Sequence, residues 1–350
     1  MVTSHDVAHV AGVSQSTVSR VLSNSPGVRA ATRERVLMAL EKTGYAPNAL
    51  ARAMRTQRAN SIGVVVSRIS NPFYPQIVRQ LGKSLAGRGL GMTVWNSEGD
   101  GERNAVEAVR GGSIDGLIFT TATADSEPLR EAIAVGAPLV LVNRVVENLD
   151  CDQVASANHE AGSMVADHFL RNGHRKIGLI SGPLSASTSN EREAGFTQYL
   201  KEAGFPLRPE FIHRGDFEYR TGYEAVQRWF GSGSNMNFPT AIFCVNDLIA
   251  FGALDAARFL KIEVPRELSV VGHDDIEMAE WQAFGLTTVR QPLEKIIDTA
   301  LELLASQFND PDRPKKIHRF QSQLVLRRSS AGLNSPEDHG VDHNKLLSSL

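Results

Sequence analysis

Apolar residues follow two different patterns along the chain, and the change comes near residue 60. Residues 4–56 carry apolar positions at the spacing of short helices, whereas from residue 61 short apolar runs alternate with stretches of helical period. The first pattern predicts a small helical head. The second predicts parallel strands covered by helices on both faces, and about seven to nine such units are too many for one small sheet. We therefore predict an α/β fold with a three-helix head and two α/β lobes.

Three helices are predicted in the head, at residues 6–11, 15–22 and 32–43. Thr3 and Asp6 stand at capping-box spacing before the first helix, and Ser14 is a good N-cap for the second. Gly12 and Gly44 can take the left-handed conformation that ends a helix. The predicted inward faces consist of apolar residues at helical spacing: Val7, Val10 and Ala11; Val18, Val21 and Leu22; Val36, Leu37 and Leu40.

The lobes are predicted from strand-length runs and the helical stretches between them. The apolar runs are at 62–66, 92–95, 114–120, 139–142, 176–181, 241–245 and 268–272. The stretches of helical period are at 76–86, 159–171, 192–203, 219–230 and 248–260. Ligands of such sheets bind beyond the carboxyl ends of the strands, so the cleft between the two lobes is the predicted pocket. His174 is expected in a turn between a helix and a strand.

Residues 8–22 have the make-up of a helix-turn-helix, with a short helix, a glycine turn and a second helix. The second helix has polar residues on one face: Gln15, Ser16, Ser19 and Arg20. Glutamine can pair with the edge of adenine and arginine with that of guanine, as reading of the major groove requires. Ser14, Thr17 and Ser19 suit phosphate contacts beside the helix N-terminus. The alternative is a solvated polar face on an ordinary helical bundle.

Composition limits the class of protein. With 42% hydrophobic and 22% charged residues the chain is typical of globular proteins, and no apolar run is long enough to span a bilayer. The N-terminus lacks the features of a secretory signal, and Cys151 and Cys244 have no metal-binding spacing. We therefore expect a cytoplasmic protein with two buried thiols and without a membrane partner, metal or cofactor.

Charge is distributed unevenly along the chain. Residues 1–60 hold eight Lys or Arg and three Asp or Glu, a net charge of +5, which leaves −7 for the remainder. This asymmetry suggests a polyanion as the partner of the head alone. Many N-terminal domains are mildly basic without binding nucleic acid, so charge by itself leaves both possibilities open.

Several blocks of residues occur in a distinctive order. The head carries Thr3-x-x-Asp6-Val-Ala-x-x-Ala-Gly-Val-Ser14-x-x-Thr17-Val-Ser-Arg20-Val-Leu22. The later blocks are Gly44-Tyr45-x-Pro47-Asn48, Ala49–Met54, Asn71-Pro-Phe-Tyr74, Asp115-Gly-Leu-Ile118, Gly173-His174-Arg-Lys-Ile177, Arg192-x-x-Gly195-Phe196, Gly215-Asp-Phe217, Asn246-Asp247, Val270-Val-Gly-x-Asp274-Asp275 and Leu286-Thr-Thr-Val289. Together they closely resemble the lactose-repressor (LacI/GalR) family of bacterial transcription regulators over roughly residues 2–330.

The resemblance implies an architecture and a function. The implied domains are a helix-turn-helix head at 1–47, a hinge helix and linker at 48–60, and a two-lobe periplasmic-binding-protein-like domain for effector binding and dimerisation at 61–331. Residues 332–350 lack periodicity and are expected to form a disordered tail. The implied function is that of a homodimeric repressor that binds a pseudo-palindromic operator in double-stranded DNA. A small sugar-like or sugar-acid effector in the inter-lobe cleft would control it.

The same resemblance implies DNA contacts in the head and in the hinge. Gln15, Ser16 and Arg20 would read bases, while the hinge helix would enter the minor groove as an apolar wedge. The implied DNA-binding residues are Thr3, Ser14, Gln15, Ser16, Thr17, Ser19, Arg20, Leu50, Ala51 and Met54. Residues 48–56 are too short to hold a helix alone in water, which favours a hinge that folds only on the operator. The alternative is a linker helix that is always folded.

The resemblance also implies effector contacts: Phe73, Tyr74, Arg192 at a helix start, Phe217, Asn246 and Asp274. Amide, carboxylate and guanidinium groups can bind hydroxyls, while aromatic rings cover the apolar faces of a sugar or base. Each residue taken alone has an ordinary role, such as a core aromatic, a surface cation or, for Asn246, a helix cap. Their common placement after strands favours a binding site.

Two departures from the family pattern bear on the effector. His273 stands where an aromatic residue is common, so the polarity or the pH response of the pocket is expected to differ. Asn143-Arg144 stands where Asp-Arg is frequent, which removes a carboxylate and favours an anionic effector such as a sugar acid or sugar phosphate.

Two other classes of protein compete with a regulator. An enzyme is disfavoured because the chain has no phosphate loop, nucleophile elbow, HExxH motif or GxGxxG motif after a strand. A solute-binding protein of the same two-lobe fold, without operator specificity, is disfavoured by the helix-turn-helix and by the lack of a signal peptide. The tail has no leucine heptad, so an assembly beyond the dimer is not expected.

Overall fold

The computed structural model describes residues 2–22, 25–45, 58–67, 69–121, 123, 125–231 and 238–333. The predictions for Leu50, Ala51 and Met54 of the hinge lie outside these residues, as does most of the proposed tail. The chain forms two compact units, one made of the residues up to Asn60 with Gly111–Asp115 and the other of the rest.

The head contains three helices, α1 (Ser4–Ala11), α2 (Gln15–Leu22) and α3 (Ala30–Thr43). The predicted capping box is present, because Asp6 N–H donates to the Thr3 hydroxyl and Thr3 N–H donates to the Asp6 carboxylate. Gly12 and Gly44 end α1 and α3 in the left-handed conformation, as predicted. The core of the head is formed by small and branched residues: Val7, Ala8, Ala11, Val18, Val21, Val36 and Ala39.

Three apolar residues predicted to face inward are exposed instead: Val10 (45%), Leu22 (36%) and Leu37 (53%). In α1 the small side chain of Ala8 occupies the inward face, which rotates the buried arc away from Val10. In α3 Ala39 has the same effect on Leu37. Close packing of alanines therefore decided which face is buried, and the larger apolar side chains were a misleading guide.

The second unit contains two six-stranded sheets. Lobe one has β1 (Ser61–Val66), β2 (Gly91–Asn96), β3 (Gly116–Phe119), β4 (Leu139–Val142), β5 (Asp152–Ser156) and β11 (Ile317–Phe320), in the order β11-β5-β4-β3-β1-β2. Lobe two has β6 (Ile177–Ser181), β7 (Ile212–Arg214), β8 (Ala241–Cys244), β9 (Ser269–Asp274), β10 (Thr287–Arg290) and β12 (Gln323–Val325), in the order β12-β10-β9-β8-β6-β7. All neighbouring strands are parallel except β10 and β12.

Helices cover the sheets, as the alternating pattern predicted. They are α4 (Phe73–Gly87), α5 (Gly101–Arg110), α6 (Glu127–Ala134), α7 (Asn158–Arg171), α8 (Ser187–Glu202), α9 (Tyr219–Phe230), α10 (Asp247–Phe259) and α11 (Leu293–Asn309). Short 3-10 turns occur at Pro209–Phe211 and Glu277–Glu280. All seven predicted strands are present with shifted ends, whereas β5, β7, β10, β11 and β12 were not predicted.

The chain passes between the lobes three times. It crosses at Ala157 between β5 and α7, at residues 291–292 between β10 and α11, and at residues 321–322 between β11 and β12. These three segments are the only covalent connections between the two sheets, so a change in the angle between the lobes must be absorbed there.

The C-terminal end of the described chain is held on lobe two. Ala331 N–H donates to Ser269 Oγ at 3.1 Å, and Leu333 N–H donates to the Asn172 carbonyl at 3.1 Å. His174 lies between α7 and β6, as expected, and its Nε2 is 3.0 Å from the Ala331 carbonyl. Leu333 therefore belongs with lobe two, although the sequence placed it in the tail.

Several expectations from composition can be compared with the described residues. Cys151 and Cys244 are buried free thiols, as predicted. None of the helices that the structure describes is both long and apolar enough to cross a bilayer. Within the same residues, no group of three or more His, Cys, Asp or Glu side chains is arranged to hold a metal ion.

Candidate functional site

Helix α2 presents the polar face predicted to read DNA. Gln15, Ser16 and Arg20 are exposed, whereas Val18 and Val21 hold the opposite face against the core of the head. The Gln15 amide donates to the Ser4 hydroxyl at 2.8 Å, which ties the start of α2 to the start of α1. The structure thus places these three side chains together on one exposed surface.

The start of α2 carries a cluster of hydroxyl groups. Ser14 Oγ accepts a hydrogen bond from Thr17 N–H at 3.2 Å, so Ser14 is the N-cap that the sequence predicted. The same oxygen lies 2.8 Å from Ser16 Oγ and 2.9 Å from Thr17 Oγ1. Hydroxyls and the positive end of a helix dipole both suit a phosphate oxygen. Ser19 is half-buried on the same helix.

Thr3 has a structural role in addition to its predicted contact with DNA. Its hydroxyl donates to Asp6 Oδ2 at 2.8 Å, and its backbone N–H donates to the same oxygen at 2.8 Å. These two donors lower the pKa of the Asp6 carboxyl. The capping box therefore engages the side chain, and any contact with phosphate must be made alongside it.

Arg192 is buried inside lobe two. It lies within α8, which begins at Ser187, and not at a helix start; the polar residues 187–191 carry no helical apolar pattern that would have revealed the earlier start. Its Nε donates to Asn158 Oδ1 at 2.8 Å and its Nη1 donates to the Val245 carbonyl at 2.7 Å. Asp274 Oδ1 lies 3.6 Å from Nη1, and both side chains are almost fully buried. Burial lowers the pKa of this guanidinium, and the charge of Asp274 opposes that shift. A role as a surface cation is therefore excluded.

Asp274 ends β9 and has a left-handed backbone, with φ of 122°. Its Oδ1 accepts a hydrogen bond from Gln291 Nε2 at 2.8 Å and lies 3.1 Å from His273 Nδ1. Gln291 was not singled out from the sequence, although it directly follows β10 and the rule that selected Asp274 applies to it equally. The structure therefore adds an amide donor to the predicted pair.

The aromatic candidates lie at three points around this pair. Phe73 and Tyr74 open α4 of lobe one, are buried, and contact each other edge to face at 5.9 Å between ring centroids. Tyr74 is near enough to Arg192 to affect the pKa of its guanidinium. Phe217 follows β7 and is half-buried against Gly182, where a Cβ atom would lie 2.5 Å from the ring.

Asn246 occupies the position for which both a capping role and a ligand role were considered. Its Oδ1 accepts a hydrogen bond from Ile249 N–H at 2.9 Å, so it is the N-cap of α10. It is almost fully buried, and its backbone lies next to the Val245 carbonyl that binds Arg192. The cap is observed, and the contact with an effector stays a prediction.

His273 is fully buried beside the Arg192–Asp274 pair. Burial and the neighbouring Arg192 lower its pKa to about 4, so the imidazole is neutral near pH 7. A pH response at neutral pH therefore does not come from this histidine. Its Nε2 has no hydrogen-bond partner among the described residues.

The loop after β4 contains the second departure from the family pattern. Asn143 is buried with a left-handed backbone (φ 74°), and Arg144 Nη1 donates to the Thr121 carbonyl at 3.1 Å. Thr121 and Asn143 thus lie at the carboxyl ends of the neighbouring strands β3 and β4. The predicted loss of a carboxylate is matched by a cation placed beside it.

Asp247 is a buried carboxyl that the sequence did not mark as titratable. Burial and the charge of Asp274 raise its pKa to about 8, so it carries a proton near pH 7. Its Oδ2 accepts from Ile276 N–H at 2.9 Å, and its Oδ1 is hydrogen-bonded to the Thr288 hydroxyl. A Cβ atom at Gly272 would lie 2.3 Å from Oδ1, so only glycine leaves room for this carboxyl.

Asp247→Asn is expected to remove a pH dependence of stability. A carboxyl whose pKa is raised on folding stabilises the folded state fully below about pH 4, and this contribution is lost by about pH 8. The asparagine NH₂ would replace the protonated oxygen and donate to Thr288. Thermal unfolding between pH 5 and pH 8 should show a decline in the wild type of about 1 kcal/mol or more that the variant lacks.

The exposed variant Asp310→Asn serves as the control for this measurement, since it removes a carboxylate without burial. Equal slopes of stability against pH in the wild type and in Asp247→Asn would show that Asp247 is ionised throughout.

Comparisons with known proteins identify the family. Residues 3–48 match the model of bacterial regulatory proteins of the lacI family, and residues 166–330 match the periplasmic binding protein-like domain. The HTH-type transcriptional repressor PurR of Photobacterium profundum is 31% identical over 338 residues, which cover 95% of this chain and 100% of that protein. PurR of Mannheimia succiniciproducens is also 31% identical, over 94% of this chain and 98% of its own. The chain belongs to the LacI family.

Solved structures of LacI-family proteins share this fold. The lac repressor dimer bound to operator and the anti-inducer ONPF aligns with a TM-score of 0.82 at 27% identity, over 94% of this chain and 99% of that one. The transcriptional regulator CelR in complex with cellobiose aligns with a TM-score of 0.71 at 28% identity, over 94% and 100%. The predicted resemblance and α/β fold class are confirmed. The chain is a DNA-binding transcriptional repressor with a ligand-binding domain, in a family of regulators and not of enzymes.

Proposed function

We propose that this repressor acts in the cytoplasm as a homodimer on a pseudo-palindromic operator, under the control of a small sugar-like or sugar-acid effector bound between the lobes. The observation that carries the proposal is the buried Arg192–Asp274 pair, with Gln291 on Asp274 and Phe73, Tyr74 and Phe217 around it. Charged side chains buried this deeply are costly unless they are paired or bind a ligand. Aromatic rings beside such groups suit a sugar ring.

The DNA-reading part of the proposal rests on α2. Gln15, Ser16 and Arg20 are proposed to contact base edges, while Ser14, Thr17, Ser19 and Thr3 contact phosphates. The hinge residues Leu50, Ala51 and Met54 are proposed to fold on the operator and enter the minor groove. An operator with two half-sites requires two heads, and therefore a dimer.

Two large exposed side chains support self-association. Phe259, at the end of α10, is 70% exposed, and Trp281 is 49% exposed. Arg258 Nη2 donates to the Ala283 carbonyl at 2.8 Å, which holds the two segments side by side. Exposed aromatic residues on adjoining segments are typical of an interface between proteins. We propose that a second copy of the chain covers them.

The proposed chemistry of the effector follows from the polar groups in reach of the cleft. Arg192 and Arg144 are cations, while Asn143 replaces the carboxylate that is frequent in the family. This balance favours a ligand that carries a carboxylate or phosphate as well as hydroxyls. The cellobiose held by CelR is consistent with the hydroxyl part alone. Calorimetry that detects tight binding of neutral sugars only would reject the anionic part.

The proposed function is tested by deleting residues 1–58. Genomic selection with the full-length protein should return a common palindromic motif, and sedimentation should show a dimer. The truncated chain should lose this preference while still shifting its thermal midpoint with the same metabolites in a panel of sugars and sugar acids. Equal recovery of random duplex by both proteins would instead support a solute-binding protein of the same fold.

A further inference from the structure

Five buried polar side chains form a closed ring of contacts in the second unit: Ser156, Asn158, Arg192, Asp274 and Gln291. Asn158 Nδ2 donates to the Ser156 carbonyl at 3.2 Å, and Arg192 Nε donates to Asn158 Oδ1 at 2.8 Å. Arg192 faces Asp274 at 3.6 Å, and Gln291 donates to Asp274 at 2.8 Å. The ring closes where the Ser156 hydroxyl donates to Gln291 Oε1. All five residues are less than 9% exposed.

The ring lies at two of the three crossings between the lobes. Ser156 ends β5 in lobe one, and Asn158 begins α7 directly after the crossing at Ala157. Gln291 is the first residue of the second crossing, after β10 of lobe two. Gln291 is therefore bonded at one end to a strand end of lobe one and at the other to Asp274 of lobe two.

Two members of the ring are also the proposed effector contacts. Asp274 Oδ1 already receives the Gln291 amide and lies next to His273 Nδ1 and Arg192 Nη1. A ligand hydroxyl or anion that binds this pair must therefore share or displace one of these contacts. Because the ring is buried, each contact that is lost must be replaced, and the neighbouring members have to shift to do so.

We propose that Gln291 is a positioning residue through which the state of the Arg192–Asp274 pair sets the angle between the two lobes. The proposal rests on the proposed function, since it concerns how occupancy of that site is passed on. A ligand that alters the contacts of Asp274 moves the Gln291 amide, and the other end of this side chain holds the end of β5. Coupling of this kind requires a physical link that both sites influence, and the ring supplies it.

The test measures the distance between the lobes in the full-length chain without DNA or ligand. Spin labels are placed on exposed residues of the two lobes through Val135→Cys and Phe205→Cys. Cys151 and Cys244 are buried, and burial raises the pKa of Cys151 to about 12 and raises that of Cys244, so neither thiol reacts readily. Dilution with unlabelled chain limits the signal to one labelled copy per dimer, and double electron–electron resonance gives the distance distribution.

Gln291→Met keeps the length of the side chain and removes its hydrogen bonds. The matched control is Gln307→Met, since Gln307 is equally buried but bonds only within lobe one, to Leu139 and Asp152. We expect Gln291→Met to shift the mean distance by more than about 2 Å, as in domain rearrangements, and Gln307→Met to leave it unchanged. Thermal unfolding of both variants separates this shift from a loss of stability.

Two further variants address the remaining links. Asp274→Gly removes the carboxylate at a backbone position that favours glycine, and it should move the mean distance in the same direction as Gln291→Met. Ser156→Ala removes the bond at the lobe-one end, and it carries the same expectation if Gln291→Met fails to fold.

A distance distribution in Gln291→Met or Ser156→Ala that matches the Gln307→Met control overturns the proposal. So does a shift with Gln291→Met that Asp274→Gly fails to reproduce. Neither DNA nor effector enters the measurement, so its result is separate from the fate of the proposed function, which operator selection decides.

Discussion

Arg20→Gln is expected to reduce affinity for the operator by about 10- to 150-fold, equivalent to 1–3 kcal/mol, and to relax the preference for guanine at one position in each half-site. Arg20 is exposed on the polar face of α2, beside Gln15 and Ser16. A guanidinium can make two hydrogen bonds to guanine at once, which the shorter amide of glutamine cannot reproduce. Fluorescence anisotropy on the selected operator and on single-base variants measures both effects.

Arg35→Gln is the matched control for this prediction. Arg35 is an exposed residue of α3, and its replacement removes the same unit of charge from the head. Loss of charge alone weakens binding to all sequences by a similar factor and reduces the dependence on salt. If Arg20→Gln and Arg35→Gln weaken the operator and random duplex equally, Arg20 contacts phosphate and the assignment of a base contact is wrong.

The polar face of α2 also shows how structural and functional roles overlap in the head. Gln15 donates to Ser4, Ser14 caps α2, and Thr3 caps α1, yet all three are proposed to contact DNA. A substitution at these positions changes the fold of the head and the binding surface together. Arg20 is better suited to a test of base reading because its proposed role does not depend on a helix cap.

The head and most of the strands were predictable because their signals are local. Caps depend on residues three positions apart, and Thr3, Gly12, Ser14 and Gly44 were all placed correctly. Strands such as β4 were recognised from an unbroken apolar run. Local signals failed for β5, which reads Asp-Gln-Val-Ala-Ser and looks polar.

Strand β5 is buried because distant residues satisfy its polar groups. Asp152 accepts hydrogen bonds from Gln307 and Arg313, and Gln153 bonds to the backbone of Val146. The sequence separates Asp152 from these two donors by more than 150 residues. No periodicity within the strand reports such partners, so the burial of β5 could not be predicted from its own residues.

The candidate site divides in the same way. Asp274, Phe217 and Asn246 follow strands, and the family blocks mark them, whereas the burial of Arg192 and its bonds to Asn158 and Val245 appear only in the fold. The ring through Ser156 and Gln291 joins residues that are 135 positions apart. The sequence therefore predicts which groups are available, and the crossing of the lobes decides which of them meet.

Gly195→Ala is expected to destabilise lobe two by about 3 kcal/mol and to lower its thermal midpoint by about 6–10 °C. Gly195 lies in α8 where this helix crosses α7, and a Cβ atom there would lie 1.8 Å from the His159 carbonyl oxygen. Across the same crossing, a Cβ at Gly162 would lie 2.0 Å from the Arg192 carbonyl oxygen. These contacts are with backbone, which cannot rotate away, so the alanine must push the helices apart.

Separation of α7 and α8 should also affect the effector site, because Asn158 lies on one helix and Arg192 on the other. We expect weaker effector binding as well as lower stability in Gly195→Ala. Gly87→Ala is the control, since Gly87 is an exposed helical glycine where an added Cβ atom would meet nothing within 4 Å, and this variant should gain slightly in stability. If calorimetry finds Gly195→Ala as stable as Gly87→Ala, the close crossing of the two helices does not position Arg192, and the placement of the pair must depend on Val245 and Asp274 alone.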